Sequence, residues 1–262
     1  RIHGNATPIE EAGWIAERIA ELISKGVRPH NISVLFRISY QANWVEQALI
    51  RRKIPVQLSG VTHFWDLPEV TASMRIMNEK LGLKLNLHEG KTPNRLIEAI
   101  GSKKFSSWPK GGLEVCAILQ SNPPKGAEKE RKEGWVSTLD LLMSEIRKTK
   151  TANEFMDKVE SGTAPDIDSD EDGVEIMTIH SSKGLEWDVV FLASCEEGTL
   201  PHSRCFDLEE ERRLAYVALT RAKKKIFISY SEIRDRKETG KSNFIDELIS
   251  NKDTDFEETI KI

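Results

Sequence analysis

The sequence predicts an α/β fold: a mostly parallel sheet with helices on both faces, interrupted by a mainly helical inserted subdomain. Two observations carry this. Four largely apolar runs, ISVLF (32–36), VEIMTI (174–179), DVVFLAS (188–194) and KKIFISY (224–230), read as buried strands and are separated by helical patterns. Between about Asn78 and Asp172 that rhythm stops and helical stripes replace it.

The elements follow in order. Thr7-Pro8-Ile9-Glu10 is a capping box with proline at the first helical position. Ala12, Ile15, Ala16, Ile19, Leu22 and Ile23 repeat at helical spacing, and Gly26 closes the helix. After ISVLF, a second helix is expected around Trp44, Val45, Ala48 and Leu49. Ile54-Pro55-Val56 then reads as a brief edge strand before Gly60. In the middle section Leu81, Leu83, Leu85 and Leu87 alternate, and SNPPKGAEKERKEG (121–134) reads as a solvated linker. Trp135, Leu139, Leu142 and Ile146 form one amphipathic stripe, and Phe155 with Val159 suggests another. DIDSDED (166–172), with five acids, reads as a solvated connector. The strands at 174–179 and 188–194, a helix at 209–221, the strand at 224–230 and a short helix near Phe244, Ile245, Leu248 and Ile249 complete the pattern.

Composition narrows the function classes. Lys and Arg number 38 against 42 Asp and Glu, a net charge of −4, which excludes a uniformly basic nucleic-acid-binding body but leaves local patches open. Cys116, Cys195 and Cys205 are odd in number and lack C-x-x-C spacing, which argues against a disulfide framework or a zinc site. With no membrane-length apolar run and no signal peptide, a cytoplasmic protein is expected. The chain starts at Arg1 and is read as a piece of a longer protein.

Ligands of open α/β sheets bind beyond the carboxyl ends of the strands, so the residues following each strand are the first candidates. They are Arg37; then His180, Ser181, Ser182, Lys183, Gly184 and Glu186; then Glu196, Glu197 and Gly198. Arg221 continues the apolar stripe Leu214, Val217, Ala218 and needs an anionic partner there. That partner is either one of Glu209, Glu210 and Glu211 or a bound phosphate. GKT (90–92) and GKS (240–242) echo a Walker A loop, but Leu85 and Asp235 stand where its first glycine belongs.

Three long motifs then fall in a specific order. VEIMTIHSSKGLEWDVVFLASCEEGTLPH resembles motif V of the UvrD/Rep/PcrA-type superfamily I DNA helicases, and EEERRLAYVALTRAKKKIFISY resembles their motif VI. VLFRISYQANWVEQALIRRKIPVQLSG is similar to their motif IV, and SNFIDEL to their closing segment. The resemblance implies that residues 1–77 and 173–262 form the second RecA-like motor lobe, with 78–172 a shortened form of the family's helical accessory insert.

It further implies a 3′-to-5′ ATP-dependent DNA helicase. ATP with Mg²⁺ would bind between this lobe and an N-terminal lobe of the same protein, which carries the P-loop and the Mg²⁺ ligands. By resemblance Arg37 and Arg221 are arginine fingers, Phe36 stacks on adenine, and Gly184 and Glu186 line the nucleotide, Glu186 on the ribose. Thr178, His180 and Phe64 are implied contacts to single-stranded DNA or to duplex junctions, while Trp65 and Trp187 read as core. His63 and Leu67 stand where relatives often carry arginine, and Ser182 and Trp187 replace the commoner alanine and phenylalanine. The isolated chain lacks Walker A and is expected to be inactive. The alternative is a non-catalytic helicase-like scaffold or DNA-binding subunit of a repair or nuclease complex. That reading does not require the arginines, the ribose acid and the aromatic that the chain keeps.

Overall fold

Each long apolar run becomes a strand of one parallel sheet in a computed structural model, which describes residues 1–85, 87, 90–162, 173–234, 237–250 and 258–260. The strands are β1 (Ile2–Asn5), β2 (Ile32–Phe36), β3 (Val56–Ser59), β4 (Val174–Thr178), β5 (Trp187–Leu192) and β6 (Ala222–Ser231). β7 (Ile233–Arg234) and β8 (Lys237–Glu238) form a separate antiparallel hairpin, and β9 (Glu258–Ile260) returns to the main sheet. The main order is β3-β4-β2-β5-β6-β1-β9, with every pairing parallel. IHGN is too short and too polar to read as a strand, yet β1 bridges β6 and β9 and is buried throughout.

The chain divides into two compact units, Arg1–Val61 with Ile167–Ile262, and Thr62–Asp166. In the first, α1 (Pro8–Ser24) starts where the capping box places it: the Thr7 hydroxyl accepts the Glu10 N–H at 3.3 Å. The Glu10 carboxylate reaches back to the Ala6 N–H at 3.0 Å. α1 packs along α2 (Ala42–Arg51), and Trp14 meets Phe191 and Phe227 edge-on, at ring separations of 6.2 and 6.1 Å. These helices cover one face of the sheet.

The second unit is helical, as the stripes predict: α3 (Pro68–Leu81), α4 (Asn94–Ile100), α5 (Lys110–Gln120), α6 (Lys129–Arg147) and α7 (Ala152–Gly162). It begins upstream of Asn78, because Phe64, Trp65 and α3 pack into the same helical core as α5, α6 and Phe155. KERKEG does not stay in the linker; its charged residues are good helix formers and make the first turns of α6. The acidic run 166–172 lies outside the described residues.

Back in the first unit, α8 (Leu208–Leu219) and α9 (Asn243–Ser250) cover the opposite face of the sheet. Ala215, Ala218, Phe244 and Ile245 join Leu35, Met177, Val190, Ile228 and Tyr230 in one buried cluster. Helices thus lie on both faces, as the sequence predicts. Among the described residues no helix is long and apolar enough to cross a membrane.

Removing the Thr7 hydroxyl leaves an N-terminal N–H of α1 without its acceptor. Thr7→Ala is expected to lower stability by about 1 kcal/mol, read as a reduced urea midpoint at unchanged slope. An unshifted midpoint would mean that the box contributes nothing.

Candidate functional site

β4 and β5 are parallel strands separated by β2, and only residues 179–186 join them. The connection leaves β4 at the carboxyl edge of the sheet and must enter β5 at the amino edge. Ile179 is buried in the same cluster as Ala218, so the segment starts across the face that α8 covers. The candidate residues therefore separate into two groups along one short stretch of chain.

At the carboxyl edge, Thr178 is half-buried and its hydroxyl lies 3.0 Å from that of Ser181, whose N–H it also accepts at 3.3 Å. A tight turn at His180–Ser182 follows, and His180 is exposed with no described hydrogen-bond partner. Gly60, at φ 70°, passes so close that an added Cβ would sit 3.0 Å from the Ser181 hydroxyl. Arg37, just past β2, shares this edge. Its Nε lies 3.2 and 3.1 Å from the two Glu211 carboxylate oxygens, and its Nη2 lies 2.8 Å from Oε1. The same carboxylate accepts the His202 N–H at 2.9 Å. Burial pushes the Glu211 carboxyl upward, but the hydrogen bonds from Arg37 and His202 outweigh it and hold the group below the ordinary range.

At the amino edge, Gly184 turns the chain with φ 84° and leaves open space where a side chain would stand. Glu186 is exposed. Trp187 opens β5 by donating its N–H to the Arg221 carbonyl at 3.0 Å. Arg221 lies in the turn after α8, not on the helix. Its Nε donates to the Val217 carbonyl (3.1 Å), one terminal nitrogen to the Leu185 carbonyl (3.0 Å) and the other to the Thr220 hydroxyl (3.2 Å). All three acceptors are neutral. Among the described residues no carboxylate pairs with it, so the salt bridge to Glu209, Glu210 or Glu211 does not form. Those acids sit about ten residues away, at the far end of α8, roughly 15 Å along the axis.

Three expectations need correction. Arg37 and Arg221 do not share a rim. Ile32 is level with Val189, Arg37 lies five steps beyond Ile32, and Trp187, bonded to Arg221, lies two steps before Val189. The backbones are therefore about seven steps, or roughly 23 Å, apart along the strands. Arg37 is moreover engaged by Glu211, so the structure does not bring the two guanidinium groups to one phosphate. Phe36 is only 1% exposed and offers no face to a base. Phe64 is fully buried, stacked edge-on against Trp65 at 4.8 Å in the helical unit, and is core there rather than a DNA contact. Trp65 and Trp187 are buried, as read.

Glu196 does not open onto the rim either, while Glu197 is half-buried. Glu197 accepts the Asn243 N–H at 2.6 Å. Glu196 pairs with Arg234 inside the fold, and Arg234 also pairs with Glu11, all three being buried. Glu11 accepts from the Ser194 N–H (2.8 Å) and the Ser229 and Ser231 hydroxyls (2.7 and 3.0 Å). This cluster escaped the sequence reading. Its one signal was a glutamate at position 11, one turn before Ile15 on the buried stripe of α1.

A UvrD-like helicase C-terminal domain family model matches residues 1–129 and 127–233. The chain belongs to the UvrD-like helicase C-terminal domain family. Its sheet is that family's RecA-like α/β lobe, and the two matched pieces meet between α5 and α6. DNA helicase II of Haemophilus influenzae is 27% identical over 299 residues, covering 89% of this chain and 41% of the relative. ATP-dependent DNA helicase UvrD2 of Mycobacterium tuberculosis is 27% identical over 243 residues, covering 87% and 32%. ATP-dependent DNA helicase Rep of Buchnera aphidicola is 25% identical, covering 84% and 45%. The UvrD-like chain thus spans less than half the length of these relatives.

Burial drives the Glu196 carboxyl up to about 7, against the pull of Arg234 and with Glu11 pushing the same way. The folded state then holds this proton more tightly than the unfolded one. Its contribution is full below about 4.5 and is lost as pH rises through about 7. For Glu196→Gln, the melting temperature of the variant minus that of the parent should therefore rise between pH 4.5 and 7. A flat difference would show that Glu196 stays ionised in this cluster.

Proposed function

We propose that this UvrD-like lobe is the second motor lobe of an ATP-dependent DNA helicase translocating 3′ to 5′. On this reading its amino edge completes a nucleotide site, and its carboxyl edge grips single-stranded DNA beside a duplex junction. The names of the relatives, ATP-dependent DNA helicases and a DNA helicase II, support the class.

The observation that carries the nucleotide half is Arg221. A guanidinium held by three neutral acceptors keeps its full charge for an incoming anion. Beside it, Glu186 supplies an exposed carboxylate of the kind that accepts from ribose hydroxyls, and Gly184 leaves room for close approach. These groups fit a nucleoside triphosphate: Arg221 against the phosphates, Glu186 and the Gly184 backbone toward the sugar. Bound ATP would supply the phosphoryl group whose transfer drives the motor. Its P-loop and Mg²⁺ ligands belong, on this proposal, to an N-terminal lobe of the same protein. A cation placed beforehand where negative charge builds up stabilises the transition state more than the ground state.

The DNA half rests on Thr178 and His180, with Arg37 now reassigned to their edge. Such contacts are sequence-neutral, made to backbone phosphates and base faces. The 179–186 segment then links the two halves directly, so a change at the nucleotide edge reaches the DNA edge through a few residues.

Two outcomes are expected. In the intact protein, Arg221→Ala should cut DNA-stimulated ATP turnover by roughly 10³-fold while the fold persists. Turnover within about twofold of the parent would remove Arg221 from the site. The isolated 262-residue chain should show no ATP hydrolysis with or without DNA, and measurable turnover by it would sink the two-lobe reading.

A further inference from the structure

The cluster of Glu11, Glu196 and Arg234 carries a charge imbalance that the fold has to resolve. Its members are 3%, 0% and 5% exposed, and they set two carboxylates against one guanidinium. Among the described residues no second cation reaches either carboxylate. Lys241, whose backbone bridges to that of Glu196, turns its ammonium to Asp246 at 2.7 Å. Cys195, next to Glu196 in the chain, is held neutral by burial. Fully ionised, the cluster would leave one net negative charge in the interior, and a buried carboxylate without its own counter-ion takes up a proton instead.

The hydrogen bonds decide which carboxyl holds that proton. Besides Arg234, Glu11 accepts the Ser194 N–H and the Ser229 and Ser231 hydroxyls at 2.7–3.0 Å. Besides Arg234, Glu196 accepts the Ser231 N–H at 3.3 Å and the Thr199 hydroxyl at 3.5 Å. Donors favour the ionised form, so Glu11 keeps its charge and Glu196 is the protonated member. The residues also differ in what carries them. Glu11 stands on α1, which packs along α2 and over the sheet. Glu196 opens the loop after β5, and Arg234 stands on β7 in a hairpin of two residues per strand. A short ladder with exposed residues, here Ile233, Lys237 and Glu238, is where a fold opens first.

We propose that Arg234 and Glu196 form a proton-set latch on the β7–β8 hairpin, held while Glu196 is protonated and freed when it loses that proton to solvent, with Glu11 as the fixed anchor. An opened hairpin lets water reach Glu196, which then ionises near the ordinary carboxylate range. Each rise in pH therefore favours the open form. Burial raises the closed-state carboxyl to about 7, with Glu11 pushing the same way against Arg234, so opening increases with pH and levels off above about 7. The latch belongs to this lobe alone and does not depend on the motor reading. A loss of stability spread over the whole fold would loosen sheet and hairpin together, whereas a latch opens by itself.

The test is amide hydrogen exchange on the intact protein, corrected for the base catalysis of exchange itself. The reporters are the Ile233 amide, bonded to the Ala6 carbonyl at 3.0 Å, and the Thr239 amide, bonded to the Glu232 carbonyl at 2.9 Å. The reference is the Ala193 amide in the sheet, bonded to the Leu35 carbonyl at 3.0 Å. The opening constant of the reporters should rise roughly tenfold between about pH 6 and about pH 8, while that of Ala193 stays level. In Glu196→Gln, which keeps the shape and cannot ionise, the rise should vanish. Reporters that ignore pH overturn the proposal, as does an equal rise at Ala193. A rise that persists in folded Glu196→Gln assigns the effect to another group and overturns it too. If that variant does not fold, the parent decides: a rise confined to the hairpin supports the latch, and a level hairpin overturns it.

Discussion

Two parallel strands joined by eight residues set the geometry of this molecule. A parallel pair cannot be closed by a hairpin, and the usual return is a helix of a dozen residues or more. Between β4 and β5 the chain uses a tight turn at His180–Ser182 and a second at Gly184, with β2 lying between the strands it joins. The connection must run the length of the sheet, so its two ends cannot serve the same edge. Every later placement inherits this. The β5–α8 loop starts at the carboxyl edge, α8 runs back, and Arg221 is delivered to the amino edge beside Leu185. The two candidate edges, Thr178 and His180 on one and Glu186 and Arg221 on the other, are two sides of one chain-tracing necessity.

That division demands a stiff carboxyl edge, and the buried charges supply one. Arg234 ties Glu11 of α1 to Glu196 after β5, while serines from β6 and its neighbours satisfy the remaining lone pairs. Burial is the main reason that Glu196 holds a proton so readily; Glu11 pushes the same way, against the pull of Arg234. Replacing such a cluster by apolar residues can leave stability unchanged or raise it. What the charged version adds is direction: each hydrogen bond specifies where α1, β5 and β6 end relative to one another.

How much of this was legible in the sequence depends on what each feature rests on. Buried strands announce themselves because they are apolar whichever way they face, and β2, β4, β5 and β6 lie within a residue or two of where the runs place them. β1 was invisible because its burial comes from neighbours contributed more than 200 residues later, not from its own IHGN. The candidate site was half legible as a location. The 178–187 stretch, Arg221 and Glu186 could be picked out because glycine, lysine and acids after a buried strand have few structural uses. Motif order, however, says nothing about which edge of a sheet a residue occupies. Arg37 follows a strand and Arg221 precedes one, and in a parallel sheet that alone sets them at opposite ends. Phe36 was misread for the same reason: a residue at the end of a central strand, flanked by β4 and β5, has its ring enclosed before any ligand arrives. Glu211 was considered only as a partner for Arg221, since helical spacing cannot reveal that a strand from residue 32 to 36 ends beside it.

The setting of Arg221 explains how one residue can serve both the fold and a ligand. The last carbonyls of a helix lack N–H partners and carry partial negative charge, and a cation there is favoured by roughly 0.3–1 kcal/mol. Arg221 answers that need by donating to the Val217 carbonyl, while the Leu185 carbonyl ties it to the loop that carries Glu186. Dipoles orient a guanidinium without discharging it, which a carboxylate would do. The group is thereby held in place in advance, and on the motor proposal little reorganisation would be left when negative charge develops next to it. Had one of the α8 glutamates reached Arg221, a phosphate would have to displace a charged competitor before binding. Their position at the opposite end of the helix, where they favour the positive end of its dipole and one of them engages Arg37, keeps the two electrostatic tasks apart.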